Sequence, residues 1–90
     1  MMAKRKRRVA IIGGKGPLPT GVDLTGAKVK MYRSPADGSW NDLRRLVASI
    51  KRGTLDEVIV WTRFNSHVVS KTLARVCKNH KTTCTLYAGG

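Results

Sequence analysis

Val58-Ile59-Val60-Trp61-Thr62-Arg63-Phe64-Asn65-Ser66-His67 is the stretch whose reading decides the fold. Val58 to Trp61 form an unbroken β-prone run after the acidic pair Asp56-Glu57. Continuous rather than alternating hydrophobicity is what a parallel strand covered on both faces requires. Ser66 then stands where a helix N-cap belongs, and Val69, Leu73, Val76 and Cys77 recur at helical spacing. A helix is therefore predicted from about Ser66 to Asn79, with Lys71, Arg75 and Lys78 on its outer side. Loops at the carboxyl ends of the strands form the ligand crevice of an open parallel sheet, so residues 62–67 are the first place to look for chemistry.

Upstream, Val9-Ala10-Ile11-Ile12 reads as a strand that ends in Gly13-Gly14-Lys15-Gly16. Backbone amides in such a turn can cradle a phosphate. The spacing meets neither named template: no Ser or Thr follows a Gly-Lys at Walker spacing, and Pro19 stands where a dinucleotide fingerprint needs its third glycine. The bland alternative is a tight strand exit. Residues 17–27 carry two prolines and two glycines, which limits any helix there to a turn or two.

Val29-Lys30-Met31-Tyr32-Arg33 suits an edge strand with one face packed and one exposed. A loop follows, Ser34-Pro35-Ala36-Asp37-Gly38, and Ser39 or Asn41 is placed to cap the next helix. In that helix Trp40, Leu43, Leu46, Val47 and Ile50 form one stripe, while Arg44, Arg45, Lys51 and Arg52 lie toward the other face. Gly53 stops it. Thr82 to Tyr87 is the last β-rich run, ahead of Ala88-Gly89-Gly90. Strands alternating with helices predict a small Rossmann-like or flavodoxin-like three-layer α/β domain: a four-stranded parallel sheet of order 2-1-3-4 with two main helices, spanning residues 9–90 behind a basic flexible arm, residues 1–8.

Charge indicates the partner. Eighteen Lys and Arg against five Asp and Glu give a net charge of +13, far beyond what solubility needs. Such an excess predicts a polyanion, with nucleic acid, DNA or RNA, ahead of an anionic membrane or an acidic protein. The arm residues Lys4, Arg5, Lys6, Arg7 and Arg8 are read as lying along phosphates, or else as a solvated charge run. No stretch approaches the roughly 20 apolar residues of a membrane span, and Val9–Ile12 is too short for a secretory core, so a cytoplasmic protein without a membrane partner is expected. Cys77 and Cys84 fit a reducing compartment.

The apolar strand ending in Gly13-Gly14, a second strand ending near Tyr32, Asp56-Glu57-Val58-Ile59-Val60 followed by Thr62 and Ser66-His67, and Val76-Cys77-Lys78 before Lys81-Thr82-Thr83 together resemble the bacterial domain of unknown function 2325 family. The resemblance covers nearly all of the chain after the arm. It implies a small Rossmann-like domain and brings no established reaction. Trp61 stands where the family tends to have proline, and Arg63 where it tends to have aspartate, so a cationic site replaces an acidic one.

The predicted crevice gathers Gly13, Gly14, Lys15 and Gly16 from the first strand, Arg33 and Ser34 from the second, Thr62, Arg63, Asn65, Ser66 and His67 from the third, and Gly89 and Gly90 from the fourth. These are donors, which suits an anion. The carboxylates that hydrolysis or a magnesium site would need lie elsewhere: Asp56 and Glu57 at the opposite end of the third strand, Asp42 in a helix's first turn, Asp23 in the first crossover. Only Asp37 stands near the rim. No catalytic residue, metal ligand or cofactor is assigned, and the chain is read as not an enzyme.

His67 is read either as a phosphate donor or as a residue bonding a loop carbonyl. Cys77, His80 and Cys84 match no standard four-ligand zinc set. Trp40 and Trp61 are read as core, while Phe64 and Tyr87, near strand ends, are the candidates to stack on a base. The leading expectation is a nucleic-acid-binding protein whose phosphate contacts come from the arm and from Lys15, Arg33, Arg44, Arg45, Arg63, Lys71, Arg75 and Lys78. A sensor for a nucleotide or small anion in the crevice is the alternative, and an oligomeric assembly subunit the second.

Overall fold

A computed structural model describes residues 7–13, 24–35 and 40–87. Its elements are β1 (Arg8–Ile12), β2 (Lys28–Tyr32), α1 (Asn41–Lys51), β3 (Glu57–Trp61), a 3-10 turn (Thr62–Phe64), α2 (His67–Asn79) and β4 (Thr83–Tyr87). The strands form one parallel sheet in the order β2-β1-β3-β4, as expected. β1 starts at Arg8, and the Arg7 carbonyl accepts from the Lys28 amide at 2.7 Å, so the last two residues assigned to the arm belong to the sheet's amino end.

The central strands are apolar throughout because they are covered twice. Ala10, Ile12, Val58 and Val60 point to one side, where they meet Leu43, Leu46 and Ile50 of α1 and Val69, Leu73 and Cys77 of α2. Val9, Ile11 and Ile59 point to the other, against Leu24 and Ala27 from the end of the first crossover, and Val29 and Tyr87. Both helices therefore share one face. The order explains it: the β2-to-β3 and β3-to-β4 connections step the same way across the sheet, so crossovers of one hand put both helices on one side, and the β1-to-β2 connection steps back and lies on the other.

Two expectations about α1 and β2 are corrected. Trp40 occupies the N-cap position of α1 without a side-chain cap and is 54% exposed, outside the core stripe; Asn41 is the first helical residue rather than a cap, and Ser39 lies outside the described residues. Asp42 in that first turn accepts instead from the Arg33 amide at 2.8 Å, tying the end of β2 to the start of α1. In β2 the buried residue is Tyr32, while Met31 is 40% exposed, because only the parity of Tyr32 faces the helices.

α1 ends as glycine dictates. Gly53 has φ +72°, its amide bonds the Ile50 carbonyl and the Thr54 amide bonds the Ser49 carbonyl, a Schellman closure. α2 closes the same way on Lys81 at φ +56°, with the Thr82 amide on the Cys77 carbonyl at 2.8 Å. Its other end is capped by Ser66, whose hydroxyl accepts from the Val69 amide at 3.3 Å.

Candidate functional site

Parallel register brings the carboxyl ends of the strands to one rim. Ile12 stands beside Tyr32 and Val60, and Trp61 beside Tyr87, so Gly13, Arg33, Ser34 and Thr62 all emerge there. Gly13 turns at φ +95°, with its amide on the Tyr32 carbonyl at 3.0 Å. Gly14, Lys15, Gly16, Asp37, Gly89 and Gly90 lie outside the described residues.

Several of the expected anion donors at this rim are used by the frame itself. The Asn65 amide nitrogen donates to the Ile12 carbonyl at 3.0 Å and to the Trp61 carbonyl at 2.8 Å, bracing β1 against β3. With both N–H groups engaged, Asn65 is a brace and not an anion donor; its Oδ1 is buried without a hydrogen-bond partner. Thr62 Oγ1 lies 3.4 Å from the Tyr87 carbonyl, and the Ser66 hydroxyl caps α2.

Among the described residues, parts of the predicted crevice line two hollows. Thr62, Asn65 and His67 line a hollow of about 470 Å³ with Ser70, Lys71 and Leu86, between α2 and β4. Ser34 and Ser66 line a separate one of about 230 Å³ with Pro35, Trp40 and Val69. Tyr87, expected as a stacking platform, is half-buried and meets Trp61 edge-on, with ring centroids 5.3 Å apart at 74°. The Phe64 side chain lies outside the described residues, and Trp40 is the exposed aromatic that the helical stripe concealed.

The charges fall differently. Arg44, Arg45, Lys51 and Arg52 on α1 and Lys71, Arg75 and Lys78 on α2 are all exposed, and because the helices share a face these cations share a layer. Arg33 and Arg63 are exposed at the rim; Arg7 stands 3.7 Å from Glu57, and Arg8 is half-buried, both at the sheet's amino end. Lys4, Arg5 and Lys6 lie outside the described residues.

Each described carboxylate is turned to an internal donor. Asp42 takes the Arg33 amide, Asp56 the Arg8 amide at 2.8 Å, and Glu57 the Thr85 hydroxyl at 2.8 Å. Among the described residues, the helix layer carries cations that its one acid, Asp42, does not offset.

Among the described residues no three His, Cys, Asp or Glu side chains form a group fit to hold a metal ion. Cys77 and Cys84 are instead free thiols that face each other from α2 and β4, while His80 is exposed. Hydrogen bonding to Cys84, with burial adding to it, holds the Cys77 thiol far above its ordinary range; the same bond lowers Cys84 against burial. No described helix is long and apolar enough to cross a membrane.

Lys28 and Lys30 are cations that sequence reasoning left out. Their alternation in β2 was the signal, but only the register with Arg8 shows what they stand beside. No family model, curated protein or solved structure matches the chain.

Proposed function

We propose that the protein binds nucleic acid, with the helix layer as its principal phosphate-contacting surface. The observation that carries this reading is the placement of α1 and α2 on one face of the sheet, which collects Arg44, Arg45, Lys51, Arg52, Lys71, Arg75 and Lys78 in one layer. Guanidinium and ammonium groups spread over adjacent helices suit phosphates spaced along a chain better than a single small anion. The basic segment Lys4 to Arg8 adds to the attraction. Exposed Trp40 offers a ring on which a base can stack at the rim. The resemblance to the domain of unknown function 2325 family stands as a proposed kinship and suggests no reaction.

Binding of labelled single- and double-stranded DNA and RNA across a salt series tests the proposal. The expected result is an affinity that falls steeply with salt, by about 0.9 in log K per log salt for each duplex phosphate contacted. Absence of binding near physiological salt overturns it.

A small-anion sensor is the second reading, favoured by the hollow of about 470 Å³ that His67 and Lys71 of α2 line. Under it, a nucleotide raises the unfolding temperature while oligonucleotides of the same base do no more.

A further inference from the structure

We infer that the groove between α1 and the edge strand β2 is a binding channel for single-stranded nucleic acid, seating one nucleotide with its phosphate. This rests on the nucleic-acid reading above and adds a site that the helix layer does not include.

The groove has a volume of about 360 Å³ and runs between β2 and the carboxyl end of α1. Register assigns its charged wall. Arg8 pairs with Lys28, and Lys30 follows two residues on, so the period of 2 sends all three side chains off the same face of the sheet. That face carries α1, because Tyr32, of the same parity, packs in the helix-side core. Arg8, Lys28 and Lys30 all line the groove. Lys30 is steered there by the Tyr32 ring, whose centroid lies 5.3 Å from its Nζ.

The opposite wall is helical. Ser49 of α1 lines the groove, and Arg45 and Arg52, four residues before it and three after, fall on the same stripe and are exposed. Leu55 and Val29 supply an apolar lining. The carboxylate near Arg8, Asp56, is engaged by the Arg8 amide at 2.8 Å. Cations along the sheet wall and an apolar lining, with Arg45 and Arg52 on the helical stripe outside the lining itself, match an unpaired nucleotide, with its phosphate on the ammonium groups and its base on the aliphatic surface. A duplex presents its phosphates on a convex cylinder and cannot place a base there. It is left to the helix layer.

The cationic edge distinguishes this occupant from a pairing strand of a second copy, since two copies would bring Lys28 and Lys30 against their like. An acidic peptide would satisfy the charges but gain nothing from the one-nucleotide seat.

The experiment uses the full chain with labelled dT12, rU12 and a 12-base-pair duplex, each titrated over a salt series, with poly-glutamate as competitor. The variant Lys28→Gln/Lys30→Gln, exposed at both positions, is compared with Arg44→Gln/Arg75→Gln on the helix layer, and Lys30→Glu serves as an independent second test. Unchanged thermal unfolding checks each fold. The groove variant is expected to reduce the single-strand salt slope by about 0.7, for the one phosphate no longer neutralised, and to leave the duplex slope as it was. Lys30→Glu is expected to weaken dT12 and rU12 binding further, with the duplex again spared.

A single-strand slope unchanged in the groove variant, with the wild-type chain still binding, overturns the channel alone. Equal losses for single strand and duplex overturn it too, as does poly-glutamate that displaces dT12 as well as dT12 itself does. A wild-type chain that binds none of the three nucleic acids overturns both this inference and the reading beneath it.

Discussion

The two edges of the sheet are built alike and finished differently. β2 and β4 are both five-residue parallel strands, each paired on one side to a central strand. β2 exposes Lys28 and Lys30 along a groove, whereas β4, Thr83 to Tyr87, carries no charge and exposes Leu86 at 58%. Position in the topology thus does not set what an edge does; the charge of its exposed side chains does. Ammonium groups at β2 disfavour pairing with another strand, and β4 carries no such charge.

The two edges are independent surfaces on one shared frame, and the largest expected effect tests the frame. Ile59, fully buried in β3 between them, loses its packing in Ile59→Ala, at a cost of about 2–5 kcal/mol by chemical denaturation. Both edges should then unfold in one transition; two separate transitions would mean that the edges do not share a frame.

Asn65 comes next. Its amide joins β1 to β3 at the rim, and Asn65→Ala removes both bonds, with an expected loss of about 1–3 kcal/mol. Oligonucleotide affinity measured where the variant is folded should stay at the wild-type level, because Asn65 is buried and both of its N–H groups are engaged by backbone carbonyls. A drop there would move the binding site to the rim.

A smaller effect of opposite sign is expected at the turn that leads into β4. Lys81 holds a left-handed conformation that glycine adopts without strain, so Lys81→Gly should stabilise by about 0.5–1 kcal/mol after the entropic cost of glycine in the unfolded chain. Denaturant midpoints decide it.

The thiols beside β4 give the finest contrast. Depressed by its bond to Cys77, Cys84 ionises at lower pH, so iodoacetamide should modify Cys84 before Cys77, read by peptide mass. Equal rates would contradict the pairing across α2 and β4.

Sequence pattern made the strands, α2 and its Ser66 cap legible because each rests on local spacing. The stop at Gly53 was legible for the same reason, while the equivalent stop at Lys81 was not, since nothing in a lysine announces a positive φ. Trp40 fitted the helical stripe by spacing but precedes the first helical residue, so its ring escapes the core. Asn65 was read as a donor from its place in a loop; only the approach of Ile12, 53 residues earlier, shows that its N–H groups are engaged. Lys28 and Lys30 were hidden likewise, because the groove depends on the pairing of β1 with β2 and on which parity α1 covers.

The salt dependence of duplex binding, measured for the wild-type chain and for a variant with Arg44, Arg45, Arg75 and Lys78 changed to Gln, tests the central claim most directly. All four residues are exposed on the helix layer, so the fold should persist. The slope of log K against log salt is expected to fall by about 3.6, at about 0.9 for each of the four phosphates that the variant leaves without a cation. An unchanged slope in a folded variant would contradict it and place duplex binding elsewhere on the chain.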